Sequence, residues 1–201
     1  MSNSHGPSPR GVLHTMQRGV ALLLCFIATT GTGGAAGTEV GIRSATLALD
    51  AAQDVYELDA RTDIRVPEEA RKGIEAGLTL RLVYDIELSR VRRFLPDATV
   101  AELAQSYELS YHALSQRYLV RNLNTSEQKD YGTLQAALDG LGEVQGLPVI
   151  DAGLVEAGPK YEARVRATVD LSATSDALGW LIFWSDDWSA SSEWFTWPLH
   201  P

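Results

Sequence analysis

The sequence is poor in the residues that most often announce a chemistry. Its 201 residues include one Cys, four His and two Met. A single cysteine, Cys25, excludes a disulfide framework and a Cys-rich zinc or iron–sulfur site. His5, His14, His112 and His200 are too few and too scattered to suggest a metal centre. There is no Gly-x-Ser-x-Gly nucleophile elbow. No catalytic residue, cofactor or metal is assigned. Positive charge is also scarce, with 17 Lys+Arg against 26 Asp+Glu and a formal charge of −9. An acidic chain is a poor partner for nucleic acid, whose recognition rests on neutralising phosphates. Apolar residues make up 45% and charged residues 21%, the balance of an ordinary globular protein rather than a disordered one.

The first 37 residues read as an address. Arg10 and Arg18 occur with no acid before Glu39. An apolar run, Gly19–Ala28, follows, and then small residues, Thr29–Gly37. Positive, apolar, then small is the layout of a secretory signal peptide, with cleavage expected near Ala36 or Gly37. The apolar core is shorter than the roughly 20 residues that span a bilayer. The alternative is an uncleaved segment that anchors the chain in the inner membrane. No Arg-Arg pair precedes the apolar run, which favours the general secretory route over the twin-arginine one. Cys25 lies inside the run, not after a small residue at its end, so it reads as passive rather than lipidated. The expected organisation is a signal peptide at 1–37 and a single β-rich domain at 38–201, in the periplasm or cell envelope. Losing the leader takes two Arg and no acid, which moves the charge from −9 to −11. The domain then holds no Cys, consistent with an oxidising compartment and no thiol chemistry.

Period-two alternation dominates that domain. Tyr56, Leu58, Ala60, Thr62, Ile64 and Val66 alternate with Glu57, Asp59, Arg61, Asp63 and Arg65. Such a strand puts one face on a core and the other in water. The pattern recurs at Leu78–Leu88, at Leu103–Tyr111 and at Tyr161–Leu171. Residues 116–123 read as a hairpin partner reached through His112-Ala113-Leu114-Ser115. Ile42–Leu49 is the expected opening strand, and Ala177–Trp184 a buried late one. Two short helices interrupt the strands. Pro67–Ala76 starts on Pro, carries acids in its first turn and stops at Gly77. Leu134–Leu141 is capped by Thr133, with Gly140 and Gly142 weakening and ending it. Asp151–Lys160, with Gly153, Gly158 and Pro159, reads as a loop. The expected fold is mainly β: a single antiparallel sandwich-like domain with two short α-helices at an edge or an end. A curved single sheet packed on the helices is the alternative.

Several residue clusters invite a functional reading. All five Trp fall between 180 and 197. Beside acids and Ser they suggest a sugar-stacking platform, with Trp188, Trp194 and Trp197 as the candidates for contact. Against this, large aromatics fill ordinary cores and would lock the C-terminus onto the sandwich. Asp186-Asp187 and Glu193 raise the idea of a glycosidase acid pair. Adjacent residues on an extended chain point apart, however, and a capping turn fits them better. His112 is the one histidine in the body of the domain, and a general base would need an acid and a nucleophile beside it. Arg90-Val91-Arg92-Arg93 is the one basic cluster, followed by Phe94-Leu95-Pro96. Arg92, Arg93 and Phe94 mark a candidate docking tip for an anionic lipid or an acidic partner. A solvated strand end is the plainer account. Asn124-Thr125-Ser126 matches a glycosylation acceptor and reads as a turn.

One family pattern runs through the domain. Val66-Pro67-Glu68-Glu69-Ala70 is followed by Gly73-Ile74-Glu75-Ala76-Gly77-Leu78-Thr79-Leu80. Then come Tyr107-Glu108-Leu109-Ser110-Tyr111, Arg117-Tyr118, Thr133–Leu138 and Tyr161-Glu162-Ala163-Arg164-Val165. The chain ends in Asp187-Trp188-Ser189-Ala190-Ser191-Ser192-Glu193-Trp194-Phe195-Thr196-Trp197-Pro198, the most specific stretch. This order resembles DUF4390, a proteobacterial family with no assigned activity, over nearly all of the domain. The resemblance carries over no functional residue. It implies a possible connection with a membrane sensor kinase, because the family's genes often lie beside one.

The resulting expectation is an exported, non-enzymatic accessory protein that binds an envelope or membrane protein, a sensor kinase being suggested by the resemblance alone. Membrane contact is expected only through a retained leader. The alternative is a glycan- or small-ligand-binding sandwich using the Trp cluster. A hydrolase is the weakest reading.

Overall fold

Alternating residues become two antiparallel sheets. The computed structural model describes residues 37–173 and 188–201. In chain order the elements are β1 (Glu39–Asp50), β2 (Val55–Arg65), α1 (Glu68–Glu75), β3 (Leu78–Arg90), β4 (Ala98–His112), β5 (Arg117–Asn122) and β6 (Gln128–Tyr131). They continue with α2 (Leu134–Leu141), β7 (Glu143–Asp151), β8 (Tyr161–Ala173), β9 (Ala190–Ser191) and β10 (Phe195–Leu199). One sheet has the order β1-β2-β7, and the other β10-β8-β3-β4-β5-β6 with β9 beside β8. The sheets pack face to face and do not close into a barrel. The fold is the antiparallel sandwich with two short helices that the alternation implies.

The core residues are those the period picks out. Tyr56, Leu58, Ala60, Thr62 and Ile64 of β2 are buried, as are Leu80, Leu82, Tyr84, Ile86 and Leu88 of β3 and Val165, Ala167, Val169 and Leu171 of β8. They form one hydrophobic cluster shared by both sheets. Burying a Leu or Ile side chain contributes about 1.5–3 kcal/mol, so these central strands carry much of the stability. The outer faces carry opposite charges in register. Glu39 faces Arg65, Arg61 faces Glu143, Asp85 faces Arg166, Glu87 faces Arg164 and Glu108 faces Arg121, and each couple forms an ion pair. Such pairs add about 0.2–1 kcal/mol apiece and penalise a register slip, which would break them and turn the charged face toward the core.

Helix α1 has no side-chain cap at Pro67 and stops at Gly77, which takes φ 108°. It buries Ala70, Gly73 and Ile74 and packs against β3 and β4. In α2 the Thr133 hydroxyl accepts from the Ala136 amide at 3.2 Å, satisfying a first-turn donor. α2 lies against β5 and β6 as well as β2. Its glycines have packing reasons beyond helix termination. A Cβ on Gly140 would meet the Tyr131 ring, and one on Gly142 would meet the Thr62 carbonyl oxygen.

The structure adds strands that the alternation did not reveal. β7 spans Glu143–Asp151 although Gly146 sits at φ 58° and Pro148 interrupts it. Its register with β2 shifts between Tyr56 and Glu57 and between Leu58 and Ala60. β10 adds the C-terminus to the edge of β8. β4 begins at Ala98 rather than Leu103, and Gln116 belongs to the turn, at φ 52°. The expected strand at Ala177–Trp184 and the leader lie outside the described residues.

Candidate functional site

The β3–β4 hairpin ends in an exposed tip. Residues 91–97 close it beyond a register shift at Leu88/Ser89. Asp97 Oδ1 accepts from the Arg92 amide at 2.9 Å, and the Val91 amide donates to the Lys160 carbonyl at 2.8 Å. Phe94 is 89% exposed and Leu95 64%. The Arg93 guanidinium sits 5.7 Å from the Phe94 ring centre. Arg92, Arg93 and Phe94 are therefore together, on a short loop braced by two long strands.

Trp194 and Trp197 do not share a face. Trp180, Trp184 and Asp186-Asp187 lie outside the described residues. Trp188 is half-buried against the core. Trp197, opposite Ala163, points to the inner face, with its indole N–H buried and unpartnered. It packs beside Phe195, ring centres 5.8 Å apart. Trp194 lies on the other face of the sheet, 4.5 Å from the Arg164 guanidinium and 4.7 Å from that of Arg166. Those cations are held by Glu87 and Asp85. A flat sugar platform needs neighbouring rings on one face, and Trp194 and Trp197 occupy opposite faces. A small cavity of about 150 Å³ beside Trp194 is lined by Asp85, Glu87, Glu102 and Arg166.

The remaining sequence candidates resolve into turns. His112 is exposed, and its Nδ1 lies 2.8 Å from Ser115 Oγ across the β4–β5 turn. No ion pair reaches His112 among the described residues. The Asn124 amide group donates to the Ala104 carbonyl and accepts from the Ser106 amide, so this side chain is spent on pinning the turn to β4. Ser126-Glu127-Gln128-Lys129 has the spacing of a Ser-x-x-Lys box. That chemistry needs a helix to align the two side chains. Here Ser126 sits in a turn at φ 64° and Lys129 in a strand, paired with Glu127 at 3.7 Å.

Two larger concavities accompany these features. A cleft of about 590 Å³ lies between the end of β2 and the two helices. Its guanidiniums are all engaged: Arg43 with Asp63, Arg65 with Glu39, and Arg71 with Glu68 and Glu75. A slot of about 340 Å³ opens between β6 and β7. Tyr107 and Tyr131 line it with Asn122, Glu127, Lys129, Gln145 and Pro148. Burial raises the Tyr107 hydroxyl above the usual phenol range. Among the described residues β6 pairs only with β5 and β7 only with β2, so each turns an open edge away from its sheet. The slot was not legible in the sequence. Only Gly146 and Pro148 hint at it, since Pro in a strand marks an edge.

No curated protein matches this chain, and neither does any solved structure. A family model described as Domain of unknown function (DUF4390) matches residues 39–198, from the first residue of β1 into β10. That span takes in both sheets and both helices, and the chain belongs to the DUF4390 family.

Proposed function

We propose that this protein is an exported accessory factor of the cell envelope that works by holding an extended segment of another protein. The observation that carries this reading is the slot between the open edges of β6 and β7. An unpaired strand edge presents a row of amides and carbonyls that an extended peptide satisfies. Tyr107 and Tyr131 supply flat apolar surface beside it, and Asn122 and Gln145 supply amide groups. The groups with displaced titration have structural causes. Tyr84 is raised by burial in the core, Glu68 is lowered by its bond to Arg71, and Asp50 is lowered by Gln53. A membrane sensor protein is the partner class to try first, as the family resemblance implies.

The test is site-specific photo-crosslinking of the full chain in its native cell. The crosslinker replaces Lys129 or Gln145 at the slot, or Lys72 on the exposed side of α1. The expected result is one discrete adduct from both slot positions and none from position 72. The same adducts from all three positions, or none from the slot, refutes the reading.

A further inference from the structure

We propose that the β3–β4 tip docks the protein onto an anionic lipid surface, independently of the slot. The inference starts from where the exposed apolar side chains lie. Leu49, Val91, Phe94, Leu95 and Leu154 are each more than 40% exposed. The strand registers place all of them at one end of the sandwich. β1 ends beside the start of β2, where Leu49 faces Tyr56. The 152–160 loop is tied to the β1–β2 turn by the bond from the Ala152 amide to the Asp54 carbonyl at 2.9 Å. It is tied to the hairpin tip by the Val91–Lys160 bond at 2.8 Å and the Arg90–Glu156 ion pair at 3.2 Å. These bonds hold three loops as one end. Leu114, 94% exposed, lies in the turn at the opposite end, beyond His112.

Charge then selects the occupant. Of the acids at this end only Glu156 is offset by a cation among the described residues, pairing with Arg90. Asp50 accepts from the Ala52 amide, Asp97 from the Arg92 amide and Asp151 from the Gly153 amide, and these keep their charge, as does Asp54, so the positive character is confined to the arginines of the tip. Arg92 and Arg93 have no carboxylate within ion-pair distance among the described residues. The tip therefore presents two guanidiniums without a carboxylate partner, Arg92 and Arg93, next to Phe94 and Leu95, on a protein that is acidic overall. A phosphate-rich interface complements that arrangement. Arg binds phosphate in a planar fork, its stem lies along apolar surface, and an aromatic ring with a neighbouring aliphatic residue settles at the headgroup level. Each basic residue near such a surface contributes about 1 kcal/mol, and the attraction falls off within a Debye length.

The test reads insertion at the tip itself. An environment-sensitive fluorophore is attached to full chain carrying Cys25→Ser and Phe94→Cys. A second sample carries Cys25→Ser and Leu114→Cys. Vesicles contain either phosphatidylcholine alone or phosphatidylcholine with about one third phosphatidylglycerol. The expected result is a blue shift at position 94 with the anionic vesicles, suppressed by high salt, and no shift at position 114. Arg92→Gln with Arg93→Gln is expected to weaken vesicle affinity roughly 30-fold, as two such contacts imply. No shift at position 94, an equal shift at 114, or equal affinity for neutral vesicles overturns the proposal. A shift that needs native envelope vesicles and fails with pure lipid also overturns it and assigns the tip to a protein. Loss of tip insertion leaves crosslinking from positions 129 and 145 unaffected, so the two readings fail separately.

Discussion

The Tyr84 hydroxyl donates a hydrogen bond to Thr62 Oγ1 at 2.9 Å in the middle of the core, joining β3 of one sheet to β2 of the other. It is a polar clasp between two otherwise apolar faces, and each group removes the other's penalty for burial. Tyr84→Phe leaves the Thr62 hydroxyl buried without this partner and is expected to cost about 1–3 kcal/mol. Thr62→Val is expected to cost a similar amount. The double variant is expected to cost less than the sum, because neither group is then orphaned. Denaturant melts of the four proteins measure the coupling. Strict additivity would remove the clasp from the account.

Gly142 is where α2 touches β2. Its carbonyl accepts from the Thr62 amide at 2.9 Å, and a Cβ there would come to 2.2 Å from the Thr62 carbonyl oxygen. The obstacle is backbone, so it cannot swing aside. Gly142→Ala is expected to destabilise by about 2–4 kcal/mol through forced displacement of the helix end. Gly41→Ala in β1 has nothing within 4 Å of the new Cβ. It is expected to change stability by less than about 0.5 kcal/mol. Thermal melts of the pair distinguish a steric requirement from a general dislike of alanine.

Alkaline pH is expected to unfold the protein through its tyrosines. Burial, and then the bond from its hydroxyl to Glu75, pushes Tyr118 up to about 12, and burial raises Tyr84 as well. The unfolded chain loses these protons near pH 10, while the folded chain keeps them. Between those values the unfolded state binds fewer protons, so stability falls as pH rises. It is unaffected by these groups below about pH 9. Phenolate absorbance followed beside circular dichroism tests this. Full phenolate signal in a still-folded protein would contradict it.

Trp194 is expected to hold the C-terminal strand down. Its ring covers the Arg164 and Arg166 cations, just after Ser192 exchanges backbone and side-chain bonds with Ala167. Trp194→Ala removes a contact of about 0.5–2 kcal/mol. Its effect is expected to be local: faster amide exchange across β9 and β10, with β3 and β4 unchanged. Uniform acceleration across both sheets would show instead that the contact belongs to the global core.

The strands visible in the sequence are those with one wet face and one dry one. β2, β3 and β8 each alternate along most of their length, since a mostly polar outer face is as necessary as an apolar inner one. Thr133 and Gly77 announce helix boundaries because capping is a local matter of one or two backbone groups. β7 escapes notice because Gly146 and Pro148 break its period, and its bulges let it follow β2 without alternating. β10 escapes because it has five residues and includes Pro198, tolerable only at an edge. Arg92, Arg93 and Phe94 could be named from their run in sequence, and a hairpin tip needs only its own seven residues to be exposed. The Trp residues are different. Their crowding near the C-terminus suggests a cluster, yet Trp194, just before β10, and Trp197, within it, lie on opposite faces of the sheet.

The sequence alone determined a mainly β protein, its hydrophobic faces, its two helices, its family and a basic, apolar tip, because all of these are written in neighbouring residues. The tertiary structure decided which strand edges stay open, which guanidiniums find a carboxylate and which aromatics share a face. Those outcomes depend on pairings between residues tens of positions apart, such as Arg164 with Glu87 or Gly142 with Thr62. No local pattern encodes such a pairing; it exists only once both sheets have formed around one core.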